Sequence, residues 1–357
     1  MNIIARAAPP HLNFSRKTLL AIAAAAAAAL IVAMIVSARP VAQGWLIGFV
    51  VWSSVAVGSL VLLLIHRLTG GRWGDRLAPA LVPCVATLPL GALAFLPLAF
   101  GLSAPYRWAA GTANARPDLV HLYLNEPAFL LRTLVALIGW SILAVLIVQR
   151  RCNPLTAAIG LAFHGFIISF VAVDWILSID VGFGSSAFAA GFAIQQILSA
   201  LAFTAVVAPE PGTDTATDLG SLLMAALLGT VYIDLMSFIV SWYGDLPDKA
   251  AWYLQRGEGG WNWVILAAVV IGALVPVATL LNSKLRANRR ALRLVGGLIL
   301  VGVILHILWL MAPSFEPGAI VAALGALIAL ASASIAVADP IEAQIRKWSG
   351  GTLTHDD

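Results

Sequence analysis

The sequence predicts an all-α polytopic membrane protein of about ten transmembrane helices, and three observations predict it. Hydrophobic residues fill 61% of the 357 positions and charged residues only 11%, against about 25% charged in average soluble domains. So little charge cannot coat a water-soluble body of this size. Mean hydropathy is +0.94, and the apolar positions gather in runs that reach the roughly 20 residues crossing a bilayer core. Lysine and arginine alternate in abundance between successive loops, as they do in multi-pass proteins.

Taken in order, the apolar runs place spans at 18–37, 42–65, 77–102, 127–148, 154–176, 185–207, 218–242, 260–281, 293–312 and 317–337. The first follows Arg16 and Lys17; its apolar run is long for the core of a signal peptide and a second span comes directly after, so it reads as retained. Pro83, Pro89 and Pro97 punctuate the third span and predict a kink or partial unwinding. No matching break is legible in the second half. Gly184, Ser185, Ser186, Ala189, Ala190 and Gly191 crowd the start of the sixth span, a composition that lets helices approach closely. The acidic segment 209–217 reads as a linker. It divides the chain into a tail (1–17), a first membrane half of six helices (18–208), a second of four (218–337) and a C-terminal tail (338–357). The eight central spans then make two four-helix bundles, with the first and last spans flanking them.

Fifteen Lys and Arg fall in the N-terminal tail, alternate loops and C-terminal tail, against five on the other side. The positive-inside bias puts both termini in the cytoplasm, and a bacterial inner membrane is the expected location. The long outer connections, 103–126 and 243–259, carry Tyr106, Trp108 and Tyr123, then Trp242, Tyr243, Trp252 and Tyr253, with Trp261 and Trp263 just beyond. Such residues form an interfacial aromatic belt or a docking surface for a partner outside the membrane.

Ionisable residues inside a membrane are costly and mark candidate functional positions. Arg132 lies one to two turns in from the outer face, His164 near the midplane, and Asp174 at the outer end of the same helix as His164. Asp234 and His306 occupy the outer halves of the seventh and ninth spans. Gln195, Gln196 and Ser199 add hydrogen-bonding capacity at mid-depth. Every clear carboxylate within the spans is in the outer half, so the pattern supports at most an outer half-channel for protons. The bland readings are that Arg132 snorkels, Asp174 caps a helix end and His164 is an interhelical hydrogen-bonder. Asp234 needs a partner from another span, because Tyr232 does not share its face.

Other chemistries find little support. Cys84 and Cys152 lie far apart, without the spacings of haem attachment, zinc or iron–sulfur sites. The Gly70-Gly71-Arg72-Trp73-Gly74 turn lacks the strand–loop–helix setting of a nucleotide loop. A net charge of +4 gives no case for nucleic-acid binding.

Several stretches, in order, resemble one family. They are Gly58-Ser-Leu-Val-Leu-Leu-Leu-Ile-His66 with Leu68-Thr-Gly-Gly-Arg-Trp-Gly74; Tyr123-Leu-Asn-Glu-Pro-Ala-Phe129 with Arg132; Asp174-Trp-Ile-Leu-Ser-Ile-Asp180; Asp218-Leu-Gly-Ser-Leu-Leu223; Trp242-Tyr-Gly-Asp-Leu-Pro247 with Trp252-Tyr253; Gly260-Trp261; and Trp309-Leu-Met-Ala-Pro313. The set is similar to the ActF-like, NrfD-like membrane subunits of alternative complex III, a quinol:cytochrome c oxidoreductase. The resemblance implies two four-helix bundles with two flanking helices and no cofactor in this chain. It implies haem c, iron–sulfur clusters and quinone in partner subunits: an NrfD-like quinol-binding membrane neighbour, and multihaem cytochrome c and iron–sulfur proteins on the outer face. It also implies a proton half-channel, with Arg132, His164, Asp174, Asp234 and His306 as the path candidates. The chain departs from the pattern where Gly272 replaces a His, His306 an Asp, and Asp234 a small apolar residue. The expectation is thus a cofactor-free, non-catalytic subunit of a quinol-oxidising complex in the lipid bilayer. The alternatives are a stand-alone secondary transporter and a purely structural assembly subunit.

Overall fold

A computed structural model describes residues 15–112, 122–208, 213–244 and 246–350. Most of the expected N-terminal tail, residues 209–212 of the linker, Arg116, Asp245 and residues 351–357 lie outside the described residues. Among the described residues ten helices are long and apolar enough to cross a membrane: Arg16–Val36, Ala38–Thr69, Arg72–Ala99, Glu126–Val148, Pro154–Ile179, Phe188–Val207, Asp214–Tyr243, Glu258–Leu281, Arg289–Ser314 and Gly318–Lys347. No strand occurs among the described residues. The chain is an all-α polytopic membrane protein.

Local chemistry sets the helix ends. The carboxamide oxygens of Asn125, Asn153 and Asn288 accept from the backbone N–H groups of Ala128, Thr156 and Ala291, and Ser15 caps Thr18 in the same way. Each satisfies a donor that a helix start leaves unpaired. The second helix stops at Gly70, whose φ of 68° favours glycine. The proline-punctuated third span breaks where expected, through a short 3₁₀ turn, Leu88–Leu90, between Arg72–Ala86 and Gly91–Ala99. The eighth span is also interrupted, which corrects the expectation of none: a wide π turn, Val270–Leu274, separates Trp261–Val269 from Val275–Leu281. Pro276 has no N–H to give the Gly272 carbonyl, and the wider turn accommodates the missing donor. The last helix runs on to Gly350. Its extension is amphipathic: Ile341 and Ile345 pack on Ala86 and Val148, while Glu342 pairs with Arg346 at 2.8 Å.

The spans form two rings. The second packs on the third and fifth, the third on the fourth, and the fourth on the fifth; the sixth, seventh, eighth and ninth close in the same order. The first and tenth pack on each other and on the second, outside both rings. The rings part at residues 180–187, one span before the acidic segment, which joins two neighbours within the second ring. The second span is buried along nearly its whole length, the environment for which a helix apolar on all sides is suited. Its seam with the sixth span closes at Gly58, where an added Cβ would strike the Gln196 carbonyl.

Candidate functional site

The face at which the first span starts, the N face, and the face opposite it set the two ends of the depth scale. The five sequence-predicted residues separate into two places. Arg132 and Asp174 meet in the first ring, near the opposite face. Arg132 Nε donates to Asp174 Oδ2 at 2.7 Å and Nη2 to Oδ1 at 2.9 Å. Nη2 also donates to the Tyr123 carbonyl at 3.0 Å, and the guanidinium lies 3.9 Å from the Tyr123 ring centre. Arg132 does not snorkel. It is held in a two-pronged ion pair with a carboxylate only 1% exposed, a geometry that fixes both partners. His164 is buried in the same ring, its ring centre 6.1 Å from that of Trp140. Neither its ring nitrogens nor the Trp140 Nε1 has a protein hydrogen-bond partner.

Asp234 and His306 meet in the second ring. His306 Nε2 is 3.9 Å from Asp234 Oδ2, too long for a direct hydrogen bond and suited to a bridging water. The Gln195 amide donates to His306 Nδ1 at 3.1 Å, which leaves the Nε2–H directed towards the carboxylate. The imidazole stacks on Trp309. Gly191, in the small-residue stretch of the sixth span, leaves space beside Asp234: an added Cβ would stand 3.7 Å from Asp234 Oδ1. The Asp234 side chain is 45% exposed and is among the residues lining a cavity within the ring. The structure thus supplies Asp234 with the cross-span partner it needs, and keeps this pair apart from His164.

The pair borders a cavity of about 580 Å³ between the sixth, seventh, eighth and ninth spans. Gly272 and Gly302 line it and touch backbone to backbone; a Cβ on Gly272 would lie 2.6 Å from Gly302 Cα. No histidine fits at 272 with these two helices so close.

Towards the opposite face the cavity is roofed by Arg256, a residue the sequence reading counts only as a loop charge. It is 2% exposed. Its guanidinium lies 3.6 Å over the Trp252 ring, donates to the Leu310 carbonyl at 3.3 and 3.2 Å and to Ser314 Oγ at 3.3 Å, and faces Asp180 at 3.6 Å. Burial pulls its pKa down to about 10, with Asp180 acting in the opposite direction, so it keeps its charge at neutral pH. The legible signal was Trp252 one helical turn before Arg256, a spacing that brings the two side chains together. The aromatic loop residues divide: Tyr106, Trp108 and Trp252 are buried, whereas Trp242, Tyr243 and Trp263 are exposed. Among the described residues no three His, Cys, Asp or Glu side chains converge as metal ligands.

Comparison with known proteins finds no family model that matches the chain and no curated protein similar to it.

Proposed function

We propose that the chain is a cofactor-free integral subunit of a quinol-oxidising respiratory complex in a bacterial inner membrane, of the ActF-like, NrfD-like kind. The N face is cytoplasmic. The observation that carries the reading is Asp234. A carboxylate standing half-exposed on a span that is otherwise apolar at membrane depth is costly unless water or another subunit covers it. His306, 3.9 Å away and hydrogen-bonded to Gln195, stands beside it at a cavity on the outer side, so one bridging water would complete a path. The two closed rings with two flanking helices, the ordered sequence stretches and the charge bias support the same reading.

Quinol gives up two protons as its two electrons leave for haem or iron–sulfur centres in partner subunits. In this reading Asp234 and His306 pass protons through bound water to the outer face, while the buried Arg132–Asp174 pair holds the first ring together. A tagged chain drawn from membranes in mild detergent should bring with it a second NrfD-like subunit, an iron–sulfur protein and a haem-staining cytochrome. Recovery of a lone, stable chain would overturn the reading. A cysteine in place of Lys249 should react with an impermeant thiol reagent in intact cells; reaction only after membrane disruption would reverse the orientation.

One observation favours the transporter alternative. A second cavity, also about 580 Å³, approaches from the N face and shares Val303 with the first, and both the third and eighth spans are interrupted. Under that reading the purified chain alone would move a solute across vesicles, and no haem protein would accompany it.

A further inference from the structure

The N-face cavity differs in chemistry from the outer one. Its walls come from the first, second, third, sixth, ninth and tenth spans, and three prolines inside helices border it: Pro79 and Pro83 in the third, Pro340 in the tenth. A proline within a helix removes one hydrogen bond and pushes the preceding turn aside, so these residues hold the walls apart.

The polar groups in its depth are already engaged. The Trp52 indole donates to Ser334 Oγ at 2.7 Å, Thr87 Oγ1 to the Cys84 carbonyl at 2.7 Å, and Ser199 Oγ to the Gln195 carbonyl at 2.7 Å. Most of what remains facing the space is hydrocarbon. Charge occurs only at the mouth, where Arg16 at the start of the first span and Asp339 near the end of the last both line the cavity. Both are exposed, and neither makes an ion pair or hydrogen bond to the described residues.

A hydrocarbon interior with one cation and one anion at the rim matches a molecule with an acyl tail and a zwitterionic head. We infer that this cavity binds an aminophospholipid, phosphatidylethanolamine, with its phosphate on Arg16, its ammonium on Asp339 and an acyl chain reaching towards Val303. A polar solute would find little in the interior beyond the Ser334 O–H and spare hydroxyl lone pairs. A fatty acid or phosphatidylglycerol would satisfy Arg16 and leave Asp339 facing an anion. Phosphatidylcholine carries the positive charge without N–H groups and so forfeits the charge-assisted hydrogen bond to the carboxylate. The volume lies within the range of small-molecule sites.

The test uses the full chain, purified in mild detergent and stripped of lipid, with native mass spectrometry during titration with phosphatidylethanolamine, phosphatidylglycerol or phosphatidylcholine. One phosphatidylethanolamine should bind most tightly. Asp339→Asn should weaken it roughly tenfold, to the level of phosphatidylglycerol, as expected for losing one charged hydrogen bond. Arg16→Gln should weaken both phosphatidylethanolamine and phosphatidylglycerol. Both substitutions are at exposed positions, and an unchanged melting temperature checks that each variant is folded. Equal binding of all three headgroups, tightest binding of phosphatidylglycerol, or a headgroup preference unchanged in Asp339→Asn would overturn the assignment.

Discussion

The two rings each join a carboxylate to a basic side chain, and the two pairs are built in opposite ways. Arg132 and Asp174 make two short charged hydrogen bonds, 2.7 and 2.9 Å, around a carboxylate that is almost fully buried. Asp234 and His306 stand 3.9 Å apart with the carboxylate 45% exposed. The first arrangement has no slack: both carboxylate oxygens are committed, so moving a proton through it would break the fold locally. The second has room for water, an imidazole beside the carboxylate, and an open side. Of two pairs that look alike in sequence, geometry makes one a fastening and leaves the other loose and open, as the proposed proton role requires.

The largest expected effect lies in the fastening. Arg132→Ala leaves the buried Asp174 without compensation and should cost about 3–5 kcal/mol, read as a steep loss of folded protein in denaturant titration of the detergent-solubilised chain. Replacing both partners by apolar residues of similar volume should recover much of that loss. A double variant as unstable as Arg132→Ala would mean that the pair contributes more than mutual neutralisation.

Next come the helix contacts that position the two rings. Gly58→Ala at the seam and Gly272→Ala inside the second ring each force a methyl into backbone, and about 1–3 kcal/mol of destabilisation is expected. Gly272→Ala should also push apart the two helices that line the cavity beside His306, so under the proposed function the two variants should differ in turnover even where their melting temperatures agree. Arg256→Lys keeps the charge but gives up the planar stacking on Trp252 and the forked donation to Leu310. Its expected cost is about 1–2 kcal/mol, measurable by thermal unfolding. The smallest stability effect is expected at the open pair: Asp234→Asn should change stability by less than about 1 kcal/mol, because a half-exposed, long-range pair contributes little to folding.

Most of the fold was legible because it depends on length and hydropathy. Runs of about 20 apolar residues must become helices where no water can satisfy the backbone, and asparagines and glycines mark their ends. The third-span break followed from three closely spaced prolines. The break in the eighth span was not visible, since one proline at 276 is compatible with a simple kink and only packing against Gly302 reveals the wide turn. The helical extension past residue 337 was missed because its support, Ala86 and Val148, lies on distant spans. The site residues could be named by their cost inside a membrane, but their pairing could not. Nothing in the sequence distinguishes Arg132–Asp174, 42 residues apart, from any other combination. The burial of Arg256 depends on the ninth span folding back over its loop.

The most direct measurement compares Asp234→Asn with wild type in native membranes, following quinol-dependent electron transfer alongside the amount of assembled complex. The proposed function predicts full assembly and nearly unchanged melting with turnover reduced several-fold. Wild-type turnover in the assembled variant would contradict a proton role for the open pair and leave the chain as scaffold alone.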